Sequence, residues 1–164
     1  MPMSAEVSLP NDTQIQVVRD FAAPRPLVFR AFTRPELIRR WLLGPPGWSM
    51  PACTVDLRPG GKYHYRWRND TDGREFGLNG VYQSIVPDDR LEIRESFEDV
   101  GPAGEAHIDT RFTDDGQATR VTYVITAESR KERDAALATG MTDGMEMSFK
   151  GLDAMLAASA NGGG

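Results

Sequence analysis

Residues 129 to 160 read SRKERDAALATGMTDGMEMSFKGLDAMLAASA, and the fold turns on how this stretch is read. Its bulky apolar residues fall at Leu137, Met141, Met145, Phe149, Leu152 and Leu156. Steps of four, four, four, three and four trace one face of a helix. Ser129 followed by Glu132 is a capping-box pattern, in which each side chain satisfies the other's free backbone donor. The spacing therefore predicts one long amphipathic helix. Beside its apolar face runs a second row, Ala136, Gly140, Gly144 and Gly151, almost bare of side chain. Each interior glycine destabilises a helix by about 1 kcal/mol relative to alanine, so the row needs a reason. Close approach to strands, a break at Gly140, and space left for a ligand all fit it.

Working outward, the upstream periodicity changes to two. Residues 13–21 alternate, with Ile15, Val17, Arg19 and Phe21 on one face. Residues 62–68 alternate strictly, Tyr63, Tyr65 and Trp67 against Lys62, His64, Arg66 and Arg68, as expected of a half-buried antiparallel strand. Further strands are expected at 53–58, 75–86, 90–97, 105–113 and 119–127, with Gly and Asp-rich turns between them and a soft loop at 98–104. Gly77 and Gly80 suggest a bulge or bend within 75–86. After the first strand, Pro26 suits a first helical turn, and Leu27, Val28, Ala31 and Phe32 give an apolar stripe. Residues 33–36, TRPE, repeat the capping-box pattern and open a second short helix through Leu37, Ile38 and Trp41. Residues 44–51 read as a loop. The order predicts an α+β protein: a bent antiparallel sheet of about six to seven strands wrapped around the long helix, with two short helices after the first strand. Residues 13–160 are expected to form a single domain, with 1–12 and 161–164 as flexible ends.

Composition narrows the function. The 164 residues carry a net charge of −5 and a pI near 5.1, which argues against a general grip on nucleic acid. No apolar run approaches the roughly 20 residues a membrane span needs. The start lacks the charged and apolar regions of a secretory signal. Cys53 is the only cysteine, so no intrachain disulfide is possible, which fits a reducing cytoplasm. Exposed edge strands would allow a homodimer.

Catalytic patterns are scarce. There is no CxxC, HExxH, phosphate loop or dinucleotide fingerprint, so no metal or cofactor is expected. His64 and His107 fall on the polar faces of their strands, and a Cys53–His nucleophilic pair finds little support. Glu95 interrupts the apolar face of Leu91, Ile93 and Phe97. A carboxylate turned inward has a raised pKa and suits general acid–base work, so Glu95 is the best candidate of that kind, with His64 behind it. Lys62, Arg66 and Arg68 form a short basic row, most simply a solvated strand face. The candidate ligand-lining residues are Trp41, Tyr65, Trp67, Tyr82, Phe97, Phe112, Tyr123, Met141 and Met145. Singly, each is ordinary core. Together they gather tyrosine hydroxyls and indole N–H groups that need partners, and methionines suited to irregular surfaces.

Several stretches carry a family resemblance: FAAPRPLVFRAFTRPELIRRWLLGPPGW (21–48), DLRPGGKYHYRW (56–67), GVYQSIVPDDRLEI (80–93) and ATGMTDGMEMSFKGLDAMLA (138–157). They resemble the SRPBCC, or START-like, superfamily, in its branch homologous to the C-terminal domain of the heat-shock-protein-90 ATPase activator. The resemblance implies a helix-grip fold and recurring positions at Trp41, Gly44, Pro45, Asp56, Arg58, Pro59, Gly60, Gly61, Gly80, Gly140, Met141 and Gly144. The superfamily includes lipid and sterol carriers, hormone receptors and polyketide cyclases that use the cavity between sheet and helix. Relatives often carry Trp after Gly144, where this chain has Met145, which implies a softer pocket; with the strand pattern, the resemblance implies a close contact at Gly144 and a pocket wall at Met141 and Met145. The leading expectation is a cytoplasmic binder of a small apolar or amphipathic molecule. A cyclase- or hydrolase-like enzyme and a chaperone-associated interaction module using the 62–68 strip are the alternatives.

Overall fold

The computed structural model describes residues 4–98 and 104–161, so most of the loop expected at 98–104, and the end of the tail, lie outside the described residues. Eight strands form one antiparallel sheet: β1 (Glu6–Ser8), β2 (Gln14–Phe21), β3 (Trp48–Val55), β4 (Lys62–Asn69), β5 (Glu75–Val86), β6 (Arg90–Glu98), β7 (Ala106–Asp115) and β8 (Ala118–Thr126). Their spatial order is β1-β2-β8-β7-β6-β5-β4-β3. Helices α1 (Arg25–Thr33) and α2 (Pro35–Trp41) follow β2, and α3 (Arg130–Ala138) and α4 (Met141–Asn161) end the described chain. The bent, open sheet with helices against one face is the helix-grip arrangement.

The additions to the sequence expectation have local causes. The polar lead-in holds a strand, since Glu6–Ser8 pairs with residues 16–18 of β2. β3 begins at Trp48, inside the stretch read as a loop, and Pro51 sits at a register break between Ser49 and Ala52 on this edge strand. Proline is tolerated there because an edge strand needs only one row of ladder bonds. In β5 the irregularity falls between Tyr82 and Ser84, while Gly77 and Gly80 keep regular register.

Two helix starts differ as well. Thr33 belongs to the end of α1, and its hydroxyl donates to the Phe29 carbonyl at 2.9 Å. Arg34, extended at φ −95° and ψ 123°, caps α2 without a side-chain bond. Pro35 forces the residue before it out of the helical region, so the boundary is set by proline chemistry and no capping box forms. At the other end, Ser129 does cap α3, accepting from the Glu132 N–H at 3.1 Å. The single long helix breaks at Gly140, which adopts φ +79°, a conformation that favours glycine. A Cβ at Gly144 would meet nothing within 4 Å, so the close contact expected there is absent. The tight approach is at Gly151, where a Cβ would fall 3.3 Å from the Trp41 carbonyl oxygen of α2 rather than meet a strand.

The face of the sheet towards the helices carries Ile15, Val17 and Phe21 of β2, Leu91, Phe112 and Val121, all buried, and α4 covers them with Phe149, Leu152 and Leu156. Ring pairs such as Phe21–Phe149 at 5.5 Å and Phe32–Phe112 at 5.3 Å meet edge to face, the orientation their quadrupoles favour. Arg19 locks α4 in place. Its guanidinium, 1% exposed, grips both Asp153 oxygens at 2.8 and 2.7 Å and Glu146 at 2.9 Å.

Candidate functional site

One rung of the sheet organises the site. Val55, Tyr63, Gly80, Glu95 and Ala106 lie side by side across β3 to β7, so they share the inner face. A Cβ on Gly80 would fall 1.9 Å from Tyr63 Cζ, which shows that the Tyr63 ring lies over the glycine. The missing side chain lets Tyr63 cross β5, and its hydroxyl donates to Glu95 Oε2 at 2.5 Å. Tyr65, the next inner residue of β4, and Tyr82, the next of β5, have ring centroids 5.1 and 5.0 Å from that of Tyr63. Tyr123 of β8 is close enough to feel the Glu95 charge. Tyr63, Tyr65 and Tyr82 thus gather near Glu95, while Tyr123 stands further off, on the rung of Thr110 and Leu91.

Burial raises the Glu95 carboxyl to about 7, and the Tyr63 hydrogen bond only partly opposes it. Burial, reinforced by Glu95, pushes the hydroxyls of Tyr63, Tyr65, Tyr82 and Tyr123 above the ordinary phenol range. Cys53, opposite Tyr65, is raised to about 11 by burial. Near neutral pH, Glu95 is therefore the group of this cluster that exchanges a proton.

Tyr65 and Tyr82 are 5% and 2% exposed. Among the described residues neither hydroxyl, nor that of Tyr123, has a hydrogen-bond partner. The enclosed side-chain oxygens without a hydrogen bond are Asp115 Oδ2 and Glu132 Oε2, so the three phenol oxygens border open space. The surroundings agree. Where Phe149, Leu152 and Leu156 cover the sheet, burial is complete or nearly so, whereas Leu137, Met141 and Met145 around the α3–α4 elbow are only partly buried. Cys53, Val55, Ile93 and Ala106 beneath are also partly buried, and Phe97 is 48% exposed.

The candidate lining residues divide into two groups. Tyr65, Tyr82 and Tyr123 lie within range of the Glu95 charge, Met141 and Met145 pack partly buried against the core, and Phe97 is largely exposed. Trp41 and Phe112 sit in the packed core. The Trp41 indole donates to the Ala31 carbonyl at 2.8 Å, and Phe112 is fully buried between Phe29 and Phe32. Trp67 donates to the Leu42 carbonyl at 2.7 Å and stacks on Phe76.

His64 lies on the opposite face from Glu95. Its Nε2 is 2.7 Å from Glu98, which also accepts from Arg66 at 2.6 Å and Asn79 at 2.9 Å. Hydrogen bonds from His64, Asn79 and Arg66 hold the Glu98 carboxyl down to about 2. His64 and His107 face outward and Cys53 inward, so no Cys–His pair forms. A groove of about 480 Å³ is bordered by the outward Lys62, His64, Asn79, Gln83, Arg94 and Ser96 and also touches Tyr63, Gly80 and Glu95. A second depression of about 330 Å³ lies between the α2–β3 loop and α4, against Arg40, Trp48, Met147 and Lys150. Among the described residues no cluster of three or more His, Cys, Asp or Glu could hold a metal ion, and no helix is long and apolar enough to cross a membrane. Tyr63 escaped the sequence reading as a site residue. The signal available was the glycine at Gly80 between an inward tyrosine and an inward carboxylate, visible only once strand register is known.

A bent sheet gripped by C-terminal helices, with a polar cluster on its inner face, defines the helix-grip class. The chain belongs to the family described as activator of Hsp90 ATPase homolog 1-like protein, which matches residues 22–157. Among solved structures it is similar to a protein of Rhodobacter sphaeroides, 28% identical over 94% of this chain and 99% of that one, with a TM-score of 0.88. A Nitrosomonas europaea protein is 25% identical over 93% and 99% of the two chains, with a TM-score of 0.79. A Mycobacterium smegmatis protein, 24% identical over 93% and 96%, shares the fold at a TM-score of 0.82. No functionally curated protein matches the chain.

Proposed function

We propose that the chain binds a small amphipathic molecule on the inner face of the sheet, under the α3–α4 elbow. The apolar part lies against Ile93, Met141 and Met145, and the polar end meets Glu95 and the tyrosines. The observation that carries this reading is a pair of buried tyrosines, Tyr65 and Tyr82, whose hydroxyls border open space without protein partners near the Glu95 carboxyl. Polar groups set in a largely apolar surface need hydrogen-bond partners, and a bound molecule would supply them from the open space. A thermal-shift panel of aromatic and aliphatic amphiphiles tests it. A ligand at about 100 times its Kd stabilises the fold by about 2.7 kcal/mol. Tyr82→Phe should weaken the response of the binding compounds. A panel with no stabilising compound, or binders indifferent to Tyr82→Phe, would remove the proposal.

A second reading is favoured by Glu95 itself. A carboxyl raised to about 7 is available in both protonation states at neutral pH, as general acid–base catalysis requires. Mass spectrometry of the recovered ligand separates the two readings: unaltered molecule supports carriage, and conversion abolished by Glu95→Gln supports catalysis.

A further inference from the structure

The carboxyl at the centre of the site has no cationic partner. Other carboxylates drawn into the fold are answered by bases, Asp153 and Glu146 by Arg19, Asp20 by Arg120 and Asp109 by Arg90, although Glu132 Oε2 is enclosed without a bond. Among the described residues Glu95 receives a hydrogen bond only from the Tyr63 hydroxyl, and no Arg, Lys or His pairs with it. Near it stand the rings of Tyr63, Tyr65 and Tyr82, and the negative faces of phenol rings attract cations. The Tyr65 and Tyr82 hydroxyls, without protein partners, can accept hydrogen bonds as well as donate them.

We infer that the molecule held at this site is an apolar amine, its ammonium group paired with the Glu95 carboxylate among the tyrosines. This rests on the inner-face site proposed above and names its ligand class. An ammonium brings three donors and a positive charge, and the site offers a carboxylate, phenol oxygens and ring faces. A carboxylic acid would bring a second negative charge to a desolvated one, which is strongly unfavourable. A neutral alcohol could bond to the hydroxyls and leave the carboxyl without a counter-charge. Burial already disfavours the ionised form of Glu95, and a ligand cation would restore it. The other titratable groups around Glu95 are Tyr63 and Tyr65 of β4, Tyr82 of β5, Tyr123 of β8 and Cys53 of β3. Burial keeps all five protonated at neutral pH, so none competes with Glu95 for the cation.

Three probes of one carbon frame test the inference by calorimetry on the whole chain: phenethylamine, phenethyl alcohol and phenylacetic acid. The expected order is amine at least about tenfold tighter than alcohol, and acid weakest, in line with opposite and like charge at a desolvated site. Glu95→Gln should erase the amine's advantage and leave the alcohol within about twofold. Binding of the amine near pH 7 should also release on the order of half a proton, because a carboxyl titrating near 7 is pulled into its ionised form. That measurement needs only the wild-type chain, so it stands even where the variant fails to fold. An alcohol that binds as tightly as the amine, or an amine preference that survives Glu95→Gln, would overturn the ligand class while the amphipathic site stands. Failure of all three to bind, with no response from the wider amphiphile panel, would remove the site and the inference together.

Discussion

Replacing Glu95 by glutamine preserves side-chain size and an acceptor for the Tyr63 hydroxyl, and removes one proton equilibrium. Burial raises this carboxyl from 4.5 to about 7, so the folded chain holds the proton more tightly than the unfolded chain. Within that window the folded state binds more protons, and stability must fall as pH rises. At about 1.4 kcal/mol for each pH unit between the two values, the wild-type chain loses about 3 kcal/mol from the acid to the alkaline side of the window. The loss is nearly complete by about pH 8, one unit above the folded pKa. Glu98 behaves oppositely. Its carboxyl is held down to about 2 by His64, Asn79 and Arg66, so its contribution is present above the unfolded value and is lost as pH falls. That titration is common to both proteins and cancels in their difference. Urea unfolding of wild type and Glu95→Gln, in steps from about pH 4 to about pH 8, gives the difference curve. The variant should gain about 3 kcal/mol on the wild type across the window, whatever the absolute cost of the substitution. A difference that stays flat would show that Glu95 is solvated, and the buried cluster would be wrong.

Further substitutions probe the frame of the site. Gly144 has a free Cβ position and no positive φ, so Gly144→Ala should stabilise by about 1 kcal/mol, while Gly140→Ala, at φ +79°, should destabilise by about as much; thermal melts distinguish the signs. Gly80→Ala should displace the Tyr63 ring, sever its bond to Glu95 and cost about 1–3 kcal/mol in chemical unfolding. Arg19→Ala removes a buried cation shared by Asp153 and Glu146 and should cost about 3 kcal/mol, the low end for a broken buried pair because both partners keep some exposure. Met145→Trp should fill the looser half of the inner face, so the fold should hold in thermal melts while ligand-induced stabilisation disappears.

Fold and site differed in how far they could be read from the chain. Strands β4 to β8 were legible because alternation of inward and outward residues is a local signal, clearest in residues 62–68. The exceptions share a cause. The strand at Glu6–Ser8 is exposed throughout and carries no alternation, and β3 is interrupted by Pro51, so in both cases pairing with a neighbour makes the strand. The break at Gly140 was one of three uses the bare helical row allowed, and only the backbone chose between them. In the site, Glu95 was visible as a polar residue on an apolar face. Tyr63 as its partner was not, because the two are 32 residues apart and meet only through the register of β4, β5 and β6.

The two glycines of β5 explain why two carboxyls of β6 have such different surroundings. They sit on opposite faces, and each admits a side chain from a neighbouring strand. Over Gly77, Glu98 reaches across towards β4, and over Gly80, Tyr63 reaches across towards β6. The outer carboxylate meets a histidine, an arginine and an asparagine, and its charge is answered within the protein. The inner carboxyl, three residues earlier on the same strand, meets one phenol in a desolvated place. One carboxyl is therefore held down to about 2 and the other raised to about 7, a divergence set by surroundings alone, since the two side chains are the same. Such divergent carboxyl pairs are where acid–base and recognition roles separate. Glu98 has its bonds and can hold the sheet, whereas Glu95 is the group to which a bound molecule can still supply a partner.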